Sequence, residues 1–220
     1  KLESVLMGIT MVISVILALG IFMVLPFFLT NLMKGFLPSY SIRTLIEGII
    51  RVALFLIYIW LISKMEDIKR VFMYHGAEHK TINCLEHGED LTPENIKKYS
   101  RLHKRCGTSF LLIVMIISIF FFMFIHVDSR VLRLVLRLVL IPVIAGVSFE
   151  FIRLAGRSDN ALINLLSKPG LLLQHITTKE PEDDMIEVGI ASVEAVFDWK
   201  TYVEEIRQED SREHDISGSN

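Results

Sequence analysis

The chain has 220 residues, of which 52% are hydrophobic and only 22% charged, with a formal net charge of −2 at pH 7. A soluble domain of this size holds about 45–50% apolar residues spread through short amphipathic stretches. The length excludes a large multidomain enzyme, and the near-balanced charge argues against bulk electrostatic binding of nucleic acid.

The apolar residues are concentrated. Ser4 to Met33 carries no charge, nor does Cys106 to Val127, and each run exceeds the roughly 20 residues a helix needs to cross a bilayer. The chain therefore reads as an integral membrane protein. Its first span is Val5–Leu29, with Pro26 near the end. That run is too long for a signal-peptide core and lacks an A-x-A cleavage site, so it reads as a retained helix. The second span, Ile42–Leu61, is interrupted by Arg43, Glu47 and Arg51. Ser63 to about Glu86 lacks proline and reads as a helix continuing that span, ended by His87-Gly88. A new helix starts at Thr92-Pro93-Glu94 and runs to about His103, with Thr92 as N-cap, Pro93 in the first helical position and Leu91 packing on Ile96. The third span is Thr108–Ile125. The fourth is Val131–Phe149, which opens with Arg133 and Arg137. A strict hydropathy cutoff would discard the second and fourth, leaving two spans as the alternative.

Beyond Arg157 the character changes. Ala161–Ile176 is apolar but carries Pro169-Gly170, which predicts broken segments lying at the interface. Thr177 to Pro181 opens a helix whose first turn is acidic (Glu182, Asp183, Asp184), and Ile186, Ile190, Val193 and Phe197 form its apolar face. From Gln208 to Asn220 the polar composition predicts disorder. The expected fold class is all-α: a polytopic helical membrane protein of about four transmembrane helices, with a cytoplasmic helical segment and C-terminal amphipathic helices. The expected divisions are 1–157, including the insert 63–105, then 158–207, then 208–220.

Positive charge sets the expected orientation. Lys64, Lys69, Arg70, Lys80, Lys97, Lys98, Arg101, Lys104 and Arg105 crowd the central segment, and Arg153 and Arg157 open the tail. By the positive-inside rule both face the cytoplasm, and so does the N-terminus. The two cysteines, Cys84 and Cys106, then lie on the reducing side and read as free thiols or metal ligands rather than a disulfide.

The sharpest motif is His75-Gly76-Ala77-Glu78-His79. On a helix the two histidines are one turn apart on one face. They can hold one zinc ion while Glu78 accepts a proton as general base. A catalytic zinc usually has a third protein ligand. Glu150, at the end of the fourth span, and then His103 are the preferred candidates, with Cys106 and Glu86 supporting the shell. Helical phase also brings Asn83 towards the face of His75 and His79. The bland reading is that these histidines only hydrogen-bond to carboxylates or headgroups, with Lys80 neutralising Glu78. A second constellation is intramembrane: Arg43, Glu47 and Arg51 share one helix face, as do Arg133 and Arg137. Charges at that depth pair or reach water. An ion-pair lock with Arg43 and Arg133 snorkelling outward is favoured over a polar cavity for an anionic headgroup, substrate or peptide.

Tyr74 to Ile82, Glu86 and His103 to Phe110 together resemble the YqhQ-like bacterial membrane proteins. So do Ile46 to Arg51, Ile141-Pro142 through Glu150, Thr177 to Pro181 and Ile186-Glu187-Val188. The resemblance spans nearly the whole chain. Two departures stand out: Lys104 occupies a position where the family has proline, and the chain starts after the family's polar N-terminal region. The family is one of unknown function described as predicted metal-dependent enzymes, and the resemblance implies a multi-pass protein of the bacterial inner membrane. Motif and resemblance together lead to an expected metal-dependent membrane enzyme, hydrolase-like, using a divalent metal for which zinc is the natural choice. Its expected partners are the lipid bilayer, a membrane-embedded substrate or other membrane proteins, and no nucleic acid. The alternative is a non-catalytic membrane scaffold or membrane-protein biogenesis factor with a structural polar or metal site. A small transporter would need the intramembrane charges to line a water-filled path.

Overall fold

The computed structural model describes residues 2–217 apart from Pro38, His126, Asp128, Ser129 and Asp159. It is all-helical, with no strand among the described residues. The helices are α1 (Leu2–Leu19), α2 (Leu25–Leu32), α3 (Tyr40–Ile62), α4 (Glu66–Glu86), α5 (Pro93–Lys98), α6 (Gly107–Phe124), α7 (Arg130–Arg157), α8 (Ala161–Thr177), α9 (Asp183–Glu194) and α10 (Trp199–Ser217). A π-helical turn, Gly20–Val24, joins α1 to α2.

Two compact units emerge, and they do not follow the divisions expected from composition. One combines Lys1–Trp60 with Gly107–Gly170, the other Leu61–Cys106 with Leu171–Asn220. The physical reason is pairing across the sequence: the central insert and the tail share one core and pack as a single body.

The membrane unit holds the helices long and apolar enough to span a bilayer, four among the described residues: Glu3–Leu32, Tyr40–Ile62, Gly107–Phe124 and Val135–Arg157. These are the four spans expected, and the protein is a multi-pass membrane protein. Helices α6 and α7 pack as neighbours. Gly48 of α3 lets Ile119 of α6 approach so closely that a Cβ there would fall on the isoleucine side chain. Gly170 does the same for Ser109, whose Cβ would lie 2.8 Å from an added one. The break expected from sequence at Pro169-Gly170 is absent. The proline removes one backbone bond, while the glycine serves helix packing, so α8 runs unbroken from Ala161 to Thr177.

The polar unit is built on α4, α5, α9 and α10. Its core is Ala77, Cys84, Leu85, Leu91, Ile96, Met185, Ile186, Trp199 and Val203, with Tyr74, Tyr99, Ile190 and Val193 packed against it. Each large side chain buried in such a core contributes about 1.5–3 kcal/mol. Gly189 of α9 rides over Thr81 of α4, where an added Cβ would meet the hydroxyl at 2.8 Å. The expected end of α4 is present: Gly88 takes a left-handed φ of 68°. The Thr92 cap is present too, its hydroxyl accepting from the Asn95 amide at 3.3 Å.

Four expectations about this unit need correction. Ser63–Met65 interrupt the helix between the second span and α4, because Met65 is extended and acidic Glu66 and Asp67 open a new first turn. Helix α5 ends at Lys98 rather than near His103, since the carbonyls of Ser100, Arg101, Leu102 and His103 accept side-chain hydrogen bonds instead of helical ones. Residues Thr178–Pro181 are a non-helical strap and α9 begins only at Asp183, with Phe197 beyond its end against Tyr202. The tail expected to be disordered from Gln208 is helical through Ser217 as the continuation of α10, which is anchored by buried Trp199 and Val203; residues 218–220 lie outside the described residues.

Candidate metal centre

His75 and His79 lie one turn apart on α4, with ring centroids 4.3 Å apart. Each uses Nδ1 on a backbone carbonyl: His75 donates to Thr177 O at 2.8 Å and His79 to Arg101 O at 2.7 Å. A carbonyl only accepts, so both rings carry the Nδ1 proton in that arrangement and leave Nε2 as the available nitrogen. Such hydrogen bonds fix ring orientation and raise ligand basicity at metal sites. Cys106 closes the group, its sulfur 3.3 Å from His75 Nε2. One donor atom from each of His75, His79 and Cys106 lies within 4.8 Å of the others.

Two imidazoles and a thiol suit a borderline-soft ion such as zinc. With bonds of about 2.0–2.3 Å, tetrahedral ligands sit roughly 3.3–3.7 Å from one another, so this group would need only a small contraction. The residues therefore fit the metal that motif and resemblance imply. His75 is held above its ordinary pKa mainly by the hydrogen bond to Cys106. Desolvation opposes this, while the Thr177 carbonyl and the charges of Cys106 and Glu78 add to it. Cys84, the other thiol, is buried in the core, and that burial with nearby Glu89 and Asp90 pushes it up to about 11. It remains a protonated packing residue.

The C-terminal residue of α8 and the irregular segment after α5 supply the carbonyls, and the α4 sequence is shaped to receive them. The strap after α8 crosses α4 at Gly76. The Lys179 amide donates to Phe72 O at 2.8 Å, and a Cβ at Gly76 would fall on the Lys179 carbonyl oxygen. Glycine inside the histidine motif is thus the residue that admits the strap, and with it Thr177 O. The segment after α5 is tied down from three directions. Asn83 donates to Ser100 O and Leu102 O at 2.7 and 3.1 Å. Gln174, fully buried, accepts from the His103 amide at 2.9 Å and donates to its carbonyl at 2.8 Å. Arg101 donates to Thr178 O and Oγ1, both at 2.8 Å, and pairs with Glu180 at 3.4 Å. Buried Lys80 reaches Glu180 at 3.0 Å and Lys97 O at 3.1 Å, so its partner is not Glu78.

The remaining candidates fall as follows. Glu78 is exposed on the edge of α4, near enough for its charge to act on His75. His103 lies beside His79, with ring centroids 5.8 Å apart and planes inclined at 49°, and turns Nε2 to Glu86 at 3.2 Å, while Arg105 pairs with the other carboxylate oxygen. His103 and Glu86 thus form a bracket beside the group rather than part of it. Glu150 is an exposed residue of the membrane unit, paired with Arg153 at 3.3 Å, and the donor group does not include it. In the membrane unit Glu47 pairs with Arg51 at 2.9 Å and Arg137 at 3.5 Å. Arg43 donates to Ser39 O at 3.5 Å, and the Arg133 side chain lies outside the described residues.

Sequence reading alone missed Thr177, Arg101 and Gln174 as supports of the centre. The available signal was the Thr177-Thr178-Lys179-Glu180-Pro181 run, which it read as the start of a helix.

Residues 1–199 match the family described as protein of unknown function, DUF1385. The chain belongs to the DUF1385 family. It is 42% identical over 182 residues to the uncharacterized protein YqhQ of Bacillus subtilis (strain 168). That match covers 82% of this chain and 57% of the YqhQ sequence, so the chain spans less than two thirds of its relative. No solved structure matches the chain. For this DUF1385 chain the matched region contains the whole donor group and both carbonyl-bearing segments.

Proposed function

We propose that the protein is a metal-dependent integral membrane enzyme of hydrolase type, with His75, His79 and Cys106 holding one divalent ion, zinc by donor chemistry. The observation that carries this is the pair of Nδ1 bonds to Thr177 O and Arg101 O, which leave Nε2 of both imidazoles available, that of His75 facing the Cys106 sulfur, in a group whose donor atoms lie within 4.8 Å of one another. A histidine serving only as a surface hydrogen-bond donor has no need of such preorganisation. Three protein donors rather than four among the described residues support a catalytic over a closed structural centre. His75, His79 and Cys106 would hold the divalent ion, which would supply Lewis acidity towards an ester or amide carbonyl. Glu78, exposed beside His79, accepts the proton of an attacking water. His103 and Glu86 hold the approach segment in place. The natural substrate is a bond within a membrane-associated peptide or lipid. The site faces the cytoplasm of a bacterial inner membrane, an orientation that rests on the basic central segment.

The test is metal content by mass spectrometry on detergent-purified protein. About one zinc per chain is expected, lost in His75→Ala/His79→Ala and in Cys106→Ala, and kept in Cys84→Ala. Cobalt substitution should give a thiolate charge-transfer band that Cys106→Ala abolishes. Protein that stays metal-free after zinc is supplied and excess removed would sink the reading.

A further inference from the structure

The first part of α8 has the wrong polarity for water. Within the membrane unit this part is Ala161–Gly170. Its side turned to the protein carries Ser167, 6% exposed and donating back to Ile163 O at 2.8 Å, and Gly170, which lies on Ser109 of α6. Ile163 and Asn164 are half-buried beside them. The side turned away carries Leu162, Leu165 and Leu166, which are 63%, 56% and 52% exposed, with exposed Pro169 among them. An amphipathic helix on a water-covered surface does the reverse, burying leucine and presenting serine and charge. Leucine outside and small residues inside is the pattern of a helix solvated by lipid. There leucine gains nothing by turning inward, and helices approach one another through glycine and serine.

The neighbours of this stretch fix its depth. Gly170 meets Ser109, the third residue of the span Gly107–Phe124 and about 3 Å along it. At the other end, Ala161 closely follows Arg157, the last residue of the span Val135–Arg157. Consecutive spans run in opposite directions, so the start of α6 and the end of α7 lie at the same membrane face. Ala161 and Gly170, about 14 Å apart along the helix, are therefore both held at the level of that face. A helix heading into the bilayer does not allow this. With 17 residues, α8 is also only about 25 Å long, short of the roughly 30 Å hydrocarbon core, and it carries exposed Lys168 on the edge of the leucine face.

We infer that Ala161–Gly170 lies in the plane of the membrane surface at which α6 starts and α7 ends, and that its leucine face is a lipid-binding surface. Leu162, Leu165 and Leu166 enter the acyl chains just below the headgroups, and the Lys168 stem carries its ammonium outward to the phosphates. The occupant of the face is the bilayer rather than a second copy of the chain. This assignment does not depend on the metal centre.

The experiment attaches a nitroxide through Leu162→Cys, Leu165→Cys, Leu166→Cys or Lys168→Cys, one at a time, in the full chain in nanodiscs of phosphatidylethanolamine and phosphatidylglycerol. Cys84 and Cys106 are buried, and the unsubstituted chain gives their background. The three leucine labels should collide with oxygen in preference to a water-soluble nickel chelate, at one shared depth of about 5–10 Å below the headgroups. The Lys168 label should be the most open to nickel. Preference for nickel at the leucine positions overturns the lipid face. A depth that grows by about 6 Å from position 162 to position 166 overturns the in-plane placement in favour of a helix entering the bilayer. Label–label broadening that disappears on dilution with unlabelled chain overturns lipid as the occupant in favour of a second copy. Leu166→Glu is the arm that needs no label, because glutamate matches leucine in helix propensity. On a water-covered face the change is close to neutral; on a lipid face the melting temperature in nanodiscs should fall, and an unchanged value overturns the assignment.

Discussion

The two units solve the problem of buried polarity in opposite ways. In the membrane unit polar side chains mostly return to their own helix: Ser148 donates to Ile144 O at 2.7 Å, Ser167 to Ile163 O at 2.8 Å, and Thr30 to Pro26 O. In the polar unit they reach across long sequence separations to backbone outside the helix. His79, Asn83, Gln174 and Arg101 serve irregular segments this way, and His75 reaches the last carbonyl of α8. The apolar blocks define where the chain lies, but they bury little within the protein. Positional precision is concentrated in the less apolar unit, around α4, where His75, His79, Lys80 and Asn83 all reach backbone carbonyls outside their own helix.

The largest effect that would sharpen this contrast comes from two glycines. Gly76→Ala gains about 1 kcal/mol of helix propensity but places a methyl group on the Lys179 carbonyl, a backbone atom that cannot rotate away. Overpacking typically costs about 1–3 kcal/mol and more where the clash is with backbone as close as this one, so the expected net change is destabilising, with weakened zinc binding because Thr177 O moves off His75. Gly146→Ala on α7 meets nothing within 4 Å and should be neutral or stabilising by up to about 1 kcal/mol. Thermal unfolding of both variants in one detergent checks this. Equal melting temperatures would remove the argument that the strap dictates Gly76.

Next in size is Gln174→Leu. The side chain pairs with both the amide and the carbonyl of His103 and has no exposed surface. Leucine keeps the bulk but removes two hydrogen bonds to the part-buried His103 backbone, each contributing about 0.5–1.5 kcal/mol net. Because the same segment presents Arg101 O to His79, zinc affinity should fall together with stability. A variant that lost stability but bound zinc as tightly as the wild type would separate the segment from the centre.

How much of this was legible in the sequence follows from the same contrast. The four spans were readable because lipid solvation demands an uninterrupted apolar run, and length and charge are properties of the string. The histidine pair was readable because helical spacing alone puts residues 75 and 79 on one face. Cys106 was visible only as a supporting thiol, behind Glu150 and His103, because its 31-residue separation from His75 is bridged by a loop whose path depends on Asn83 and Gln174. Thr177 was illegible as a support for a deeper reason: it acts through its carbonyl, which every residue possesses. Pro169-Gly170 misled for the opposite reason. A pair that usually signals a break here marks a close helix contact with Ser109, and no local pattern separates the two.

A smaller, pH-dependent effect tests the bracket beside the centre. Burial raises the Glu86 carboxyl, but hydrogen bonding and charge from His103, with Arg105, outweigh it and hold its pKa below the ordinary carboxylate value. A depressed folded-state pKa contributes stability that is present above the unfolded value and is lost as pH falls through the folded one. Melting temperature should therefore decline below about pH 4.5, and Glu86→Gln should remove part of that decline. An identical acid slope in the variant would assign the transition to other carboxylates.

The smallest effect discriminates between contact distance and burial as the source of stability in the polar unit. Lys97 and Asp183 are 2.7 Å apart, closer than Lys80 and Glu180 at 3.0 Å. Distance alone would rank the first pair higher. Yet the Lys97 and Asp183 side chains are 49% and 70% exposed, whereas Lys80 is only 8% exposed. Water and salt screen the exposed pair, and holding two long side chains in one geometry costs entropy, so Lys97→Ala should change stability by less than about 0.5 kcal/mol. Lys80→Ala removes a buried stem and the donor to Lys97 O, and leaves Glu180 with Arg101 alone. Its larger loss should persist in high salt, because screening acts weakly on a buried group. Denaturant unfolding at low and high ionic strength measures both. Comparable, salt-sensitive losses would mean that the two lysines are interchangeable surface charges and that the region around His79 is no more organised than the protein's exterior.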